Sequence, residues 1–486
     1  MMENNIKSRK FCEERWRPEY HFTAPKGWIN DPNGLIYFNG WYHLFYQYNP
    51  YDCEWGAMHW GHAISEDMLH WKDLPIALKP DQAYDRHAEG GCFSGSAIEW
   101  NGVLYLFYSA TVKENGKTFQ TQCMAMSTDG INFEKYAGNP LISSPPDGAS
   151  EDFRDPKVFR ANEKWYMVVG GSIGGADCGG DGRVFLYESK DLYVWNYKGD
   201  ILKSNGELGS MFECPDMFEI DGKWVLTCSP MNHPSYNKAM YCIGTMNFEN
   251  CEYTIEKIGN LDYGFDYYAP QSFLDKHGNR VLIAWQNGWT WMPWFEGWGP
   301  TSEENWRGTL SIPRKLSLDM DGNLRLYPVR ELNEIMKLDG LMENLKISKS
   351  KVMLRPSGYK TCYIKVNLDI EKISSKFVRI GVWESGESVS IIEIDLVNNM
   401  VFFDRDRGDD FRQGKMGCPV SIKNKKIQID VFMDCSCIEI YVNQGEQCIT
   451  ANVYPDKEQT GFWIDTPYKE AIVDRLEYGT MRNVWK

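Results

Sequence analysis

Leu35-Ile-Tyr-Phe-Asn-Gly-Trp-Tyr-His-Leu-Phe-Tyr-Gln-Tyr48 runs from an apolar stretch through an Asn-Gly turn into an apolar-aromatic stretch. Asn-Gly between two such stretches is a strong hairpin signal, because both central residues must accept a positive φ. The pattern returns at residues 97–109 around Asn101-Gly102, 158–169 around Asn162-Glu163, 217–228 around Asp221-Gly222 and 272–285 around Gly278-Asn279. The turns recur about every 60 residues, a longer period than the roughly 40–50 of common propeller repeats, so extra loops are expected. A second element follows each hairpin. Ala63-Ile-Ser-Glu-Asp-Met-Leu-His-Trp71, Ala125-Met-Ser-Thr-Asp-Gly-Ile-Asn-Phe133 and Tyr187-Glu-Ser-Lys-Asp-Leu-Tyr-Val-Trp195 share one frame, and residues 243–248 are a degraded fourth copy. This reads as a third strand, a tight Asp-containing turn and an outer strand. Four strands in each of five units predict an all-β five-bladed propeller over residues 15–328. A sandwich or β-helix fits the unit length and the paired hairpins less well.

After the fifth unit the pattern changes. Residues 329–338 place apolar side chains at helical spacing and predict a short helix within a linker over 329–345. From 346 to 486, short alternating strands separated by Gly, Asn and Asp predict a β-sandwich, in which no cluster of acids, His or Cys suggests chemistry. Two domains also suit 486 residues, too many for one core. An exposed edge of that sandwich could join two copies into a homo-oligomer.

The net charge of −15 argues against nucleic acid or an anionic membrane as partner, since both require a basic face. No run approaches the roughly 18 apolar residues that span a bilayer. The polar segment at residues 1–17 does not read as a secretory signal, and the 14 cysteines are scattered without a CxxC pair. Free thiols and a cytoplasmic location are the expectation. The 19 Trp and 27 Tyr suit turn-rich β structure, and stacked aromatics often line carbohydrate sites.

Carboxylates recur at one place in the repeat: Asp31 before Pro32, Asp155 before Pro156, and Glu213 two residues before Pro215. Each stands eight or nine positions ahead of its hairpin turn, with Ser94 and Tyr268 in the corresponding places of the second and fifth units. Equal offsets predict that the side chains meet at one mouth of the central channel. A proline confines the residue before it to extended geometry and suits a strand start. One such segment alone would be a solvated turn. Three converging acids are costly unless chemistry or a metal uses them, because like charges raise one another's pKa. A calcium site would draw on a closely spaced acidic loop, which is absent, and Arg154 opposes a cation. Acid/base and nucleophilic catalysis is the better reading.

Trp28-Ile-Asn-Asp-Pro-Asn-Gly34, Phe93-Ser-Gly-Ser96, Arg154-Asp-Pro156 and Glu213-Cys-Pro215 resemble the signature blocks of glycoside hydrolase family 32, which comprises invertases, β-fructofuranosidases, sucrose-6-phosphate hydrolases and exo-inulinases or levanases. The blocks stand in the family's order, and the resemblance spans essentially the whole chain. It implies a five-bladed propeller with a C-terminal sandwich. It also implies Asp31 as nucleophile, Glu213 as general acid/base and Asp155 as transition-state stabiliser, with no metal and no organic cofactor. Trp28, Asn30, Gln47, Trp55, Phe93, Ser94, Arg154, Tyr268 and Trp285 are implied to shape the fructosyl pocket. Asn30 is expected to hold Asp31, and Arg154 to keep Asp155 ionised. Phe212, where the family commonly has Trp, is expected to alter contacts beyond the fructosyl unit. Residues 289–298 are either a wall beside the site or a packed loop.

The expected reaction is retaining release of terminal β-D-fructofuranosyl units from sucrose, sucrose 6-phosphate or short fructo-oligosaccharides. Exo-hydrolysis of inulin or levan, a non-catalytic fructan-binding propeller and an inverting arabinanase-like glycosidase are the alternatives.

Overall fold

The computed structural model describes residues 14–235, 238–358, 360–422 and 425–485. The amino-terminal segment lies, up to residue 13, outside the described residues. The five expected units are five antiparallel sheets, each running in chain order from an inner to an outer strand. The inner strands are Gly27–Phe38, Gly91–Trp100, Phe153–Ala161, Met211–Ile220 and Tyr268–Leu274. Each touches the next, and the fifth touches the first, which closes the ring. Trp306–Arg307 leaves the fifth unit and pairs in parallel with Gly27 and Trp28 of the first blade.

The hairpin turns adopt the geometry their residues predict. Asn39-Gly40, Asn101-Gly102, Asn162-Glu163 and Asp221-Gly222 all have positive φ at both positions. In the second element, Asp67, Asp129 and Asp191 each accept backbone N–H bonds two and three residues ahead and bond the preceding Ser hydroxyl. Asn247 does the same for two N–H groups in the degraded copy.

Each blade is stacked between two others, so both faces of its inner and second strands are buried. Alternation therefore gives way to runs such as Leu104-Tyr-Leu-Phe-Tyr108, all buried. Separate apolar cores fill the spaces between neighbouring blades. Phe38, Phe45 and Trp60 pack on Leu104, Leu106 and Tyr108, and Leu44 and Trp28 close the circle against Val281 and Trp285.

Two six-stranded sheets follow, with a core that includes Val366, Val382, Phe403, Val431 and Ile464. The linker expected over 329–345 is much shorter. Arg330–Ile335 is a single stretch of 3-10 helix, and Met336–Ile347 is already an edge strand of the sandwich. Val329, Leu332 and Ile335 are buried at a spacing of three, the period of a 3-10 helix, whereas Leu338 is exposed. A further core joins the fourth and fifth blades to the sandwich through Tyr241, Leu282, Leu324, Tyr363 and Phe432. No helix among the described residues is long and apolar enough to cross a membrane. The thirteen cysteines among them are free thiols.

Candidate active site

Every inner strand breaks its pairing register at the same depth. The shifts fall between Ile29 and Pro32, Phe93 and Gly95, Arg154 and Lys157, Glu213 and Asp216, and Tyr268 and Gln271. A bulge leaves residues outside the ladder and re-aims their side chains. Here five bulges lie around one axis. Asp155, Cys214 and Ala269 occupy the same bulge position, each with positive φ (68°, 47° and 50°). Such backbone costs about 1–3 kcal/mol per residue and persists only where surrounding contacts enforce it.

The register corrects the equal-offset expectation. Glu213 pairs with Ser229, Arg154 with Gly170 and Tyr268 with Trp285, so Arg154, not Asp155, is the counterpart of Glu213. Asp31 is the second unpaired residue of its bulge and Asp155 the first, while Glu213 is the last paired residue before its bulge. The three acids meet from three different positions in the motif.

Local chemistry explains why Asp155 points inward. The N–H of Asp155 donates to Ser109 Oγ (2.8 Å) and that of Ala269 to Ser229 Oγ (2.9 Å). Both serines lie on second strands of the preceding blade. In the third blade that place is taken by Gly170, where a Cβ would meet the Phe212 carbonyl oxygen at 2.0 Å. With no hydroxyl available there, the N–H of Cys214 donates to Asp155 Oδ2 at 2.9 Å. Gly95 has a similar cause: a Cβ would lie 1.9 Å from the Phe107 carbonyl oxygen, so the bulge that presents Ser94 needs glycine next to it.

A cavity of about 1310 Å³ opens above the bulges and is lined by Asn30, Asp31, Gln47, Trp55, Phe93, Ser94, Arg154, Asp155 and Glu213. Ser94 Oγ donates to Asp31 Oδ2 at 2.5 Å, and Cys214 Sγ lies 3.6 Å from both Asp31 Oδ2 and Asp155 Oδ2. Asp31 Oδ1 is buried and takes no hydrogen bond from the protein. Burial pushes the Asp31 carboxyl up to about 6, with Glu213 adding to the rise and Ser94, Asn30 and Cys214 offsetting part of it. Burial likewise raises Asp155 to about 7, against the opposing charge of Arg154.

Arg154 does not pair with Asp155 as expected. Its Nε and Nη2 donate to Glu213 Oε1 (3.1 and 2.9 Å), and Nη1 donates to Asp152 (3.1 Å). The Tyr268 hydroxyl donates to Glu213 Oε2. Below the acids, Lys157 bridges Asp216 (2.9 Å) and the Ser272 carbonyl (2.6 Å), crossing the inner strands of three blades.

Trp28 and Trp285 are fully buried and do not line the cavity. They form a cluster of tilted rings with Trp289, whose ring centroid is 4.9 Å from Trp285 and 6.1 Å from Trp28. Trp28 Nε1 donates to Asn30 Oδ1 (2.8 Å), so it orients a lining residue from behind. Tyr268 is also buried and acts through Glu213. Residues 289–298 play both expected parts: Trp289, Thr290 and Trp291 line the cavity, while Trp294 and Trp298 pack with their N–H groups on the carbonyls of Phe265 and Gly288. Phe212 is buried between the third and fourth blades, so its ring does not line the cavity.

Sequence reasoning missed the outer wall of the cavity, including Glu89, Lys113, Phe119, Glu151 and Asp152. Asp152, two residues ahead of Arg154, was its nearest signal. No group of three His, Cys, Asp or Glu side chains among the described residues could hold a metal.

Residues 21–328 match the Glycosyl hydrolases family 32 N-terminal domain, and residues 336–477 match the Glycosyl hydrolases family 32 C terminal domain. The chain belongs to glycoside hydrolase family 32. It is 35% identical to a sucrose-6-phosphate hydrolase of Zymomonas mobilis over 93% of this chain and 89% of that protein. It is 34% identical to a levanase of Bacillus subtilis, over 98% of this chain and 72% of the relative. A family 32 β-fructofuranosidase structure from Bombyx mori superposes with a TM-score of 0.78 at 29% identity, covering 97% of this chain and 95% of that one. The protein is a glycoside hydrolase, and the five-bladed propeller followed by a sandwich is the arrangement the family resemblance implied.

Proposed function

We propose that this family 32 enzyme releases terminal β-D-fructofuranosyl units from sucrose-type and short fructo-oligosaccharide substrates by double displacement. The observation that supports it most is that Asp31, Asp155 and Glu213 line one cavity, with the Cys214 thiol against both aspartates. Domain roles follow: residues 15–328 carry the chemistry, and the sandwich supports them.

Asp31 Oδ1, free of donors from the protein, attacks the anomeric carbon while Ser94 holds Oδ2 in place. Glu213 gives its proton to the glycosidic oxygen, the C–O bond breaks with its electron pair on that oxygen, and a fructosyl ester forms on Asp31. Glu213 then takes a proton from water, whose oxygen attacks the same carbon and releases Asp31. Two inversions return the starting configuration. Arg154 and Tyr268 fix the Glu213 carboxyl at both oxygens. Asp155, anchored by the Cys214 N–H, accepts sugar hydroxyls whose bonds strengthen as positive charge develops.

NMR of the first-formed fructose anomer tests the double displacement. Retention with a carboxyl separation of about 5–5.5 Å is expected, whereas first-formed inverted product would replace this mechanism by a single displacement. The levanase likeness and the volume of the cavity favour exo-hydrolysis of longer fructans as a second reading.

A further inference from the structure

We infer that the outer wall of the cavity selects neutral fructosides and turns away phosphorylated ones. The inference rests on the fructosidase reading and concerns the part of the substrate that leaves. That wall carries Glu89, Glu151, Asp152 and Asp177. Its cations are mostly committed: Lys113 is held by Glu89 at 2.8 Å, and Arg154 by Glu213 at 2.9 Å and Asp152 at 3.1 Å. Lys117 is the lining cation without an ion pair among the described residues.

A phosphate monoester carries about −1.5 to −2 charges near neutral pH. It would enter a cleft whose floor already holds Asp31 and Asp155 close together. With Glu89 and Asp152 matched by Lys113 and Arg154, Glu151 and Asp177 outnumber Lys117, and the low-dielectric wall carries their net negative field into the opening. One exposed lysine offsets little of it.

Size and lining point the same way. About 1310 Å³ exceeds the roughly 300–1,000 Å³ of sites that enclose one small ligand, which leaves room for further sugar rings. Phe119, 46% exposed, joins Trp289 and Trp291 as apolar surface in this outer region. Such rings gain from the faces of neutral sugars and gain nothing from a phosphate. The wall thus rewards added sugar units and penalises added charge.

The test is kcat/KM for fructose release from sucrose, 1-kestose and sucrose 6-phosphate, at low and high salt. The two neutral substrates are expected to exceed the phosphorylated one by about tenfold or more. Raising salt from about 20 mM to about 500 mM should lift turnover of sucrose 6-phosphate alone, because screening weakens the repulsion. Glu89→Gln removes a carboxylate and frees Lys113, and should narrow the gap by roughly three- to tenfold. Phe119→Ala should raise KM for 1-kestose more than for sucrose. Preference of the wild type for sucrose 6-phosphate, or a fall in its turnover with salt, overturns the inference. No fructose from any of the three would overturn the fructosidase reading itself.

Discussion

Buried charge occurs in two places in this molecule, and the two are built in opposite ways. Where the fifth blade meets the sandwich, Arg314 binds Glu439 (2.7 Å) and Asp262 (3.0 Å), and His21 binds Asp434 (2.9 Å) and Glu439 (3.2 Å). All five side chains are inaccessible, yet Glu439 is driven down to about 2, because Arg314 and His21 outweigh the burial that would raise it. At the propeller mouth Asp31 is buried too, but its carboxyl rises to about 6, with an oxygen that no protein group satisfies. Burial alone therefore says little about purpose. A buried carboxylate surrounded by matched donors holds the fold together, and one left under-paired beside a cavity is available for chemistry.

The largest test of this contrast is removal of the reacting groups. Asp31→Ala and Glu213→Ala should each lower fructose release by at least about 10³-fold, with circular dichroism unchanged. Either variant retaining wild-type turnover would end the assignment. Breaking the other site should leave chemistry to one side and unfold the protein instead. Arg314→Met removes the cation that two buried carboxylates share and should cost about 3–5 kcal/mol in denaturant titration.

The two sites should also answer pH with opposite signs. Glu439 has a depressed folded pKa, so its contribution is complete above its ordinary 4.5 and is lost as pH falls toward 2. Asp31 has a raised one: the folded form holds its proton more tightly, so its ionisation cost is absent below about 3.8 and fully present above about 6. Asp31→Asn should therefore stabilise the protein at pH 7 by about 1–3 kcal/mol. That gain should vanish as the pH approaches 4, measured by melting across the range. The smallest effect sharpens the same point. The acid limb of kcat/KM should lie near pH 6, and Ser94→Ala should move it upward by less than about one unit, because a donor to the ionised carboxylate is lost.

Much of this was legible because it is local. Asn-Gly and Asp-Gly turns carry their φ requirement in two residues, and the Ser-x-Asp turns bond within three, so the five repeats can be read directly. What escaped depends on pairing across strands. The bulges that set Asp31, Asp155 and Glu213 at three different places arise from the register against second strands, and counting from the hairpin turn put them at one place. The same holds for Arg154, whose partner is chosen by the next blade rather than by its neighbour in sequence. The strand Met336–Ile347 reads as a linker because its apolar residues do not alternate strictly and, on the exposed edge, only Ile347 is buried.

The parallel pairing of Trp306 and Arg307 with Gly27 and Trp28 ties the far end of the propeller sequence to its beginning. At its start the strand that carries Asp31 pairs with Asn49 and Tyr48 on one side, and its other edge is filled by residues some 280 positions further along the chain. Two widely separated segments of the propeller thus share one ladder, so loosening the chain at residues 306–307 exposes the edge of the strand that bears Asp31.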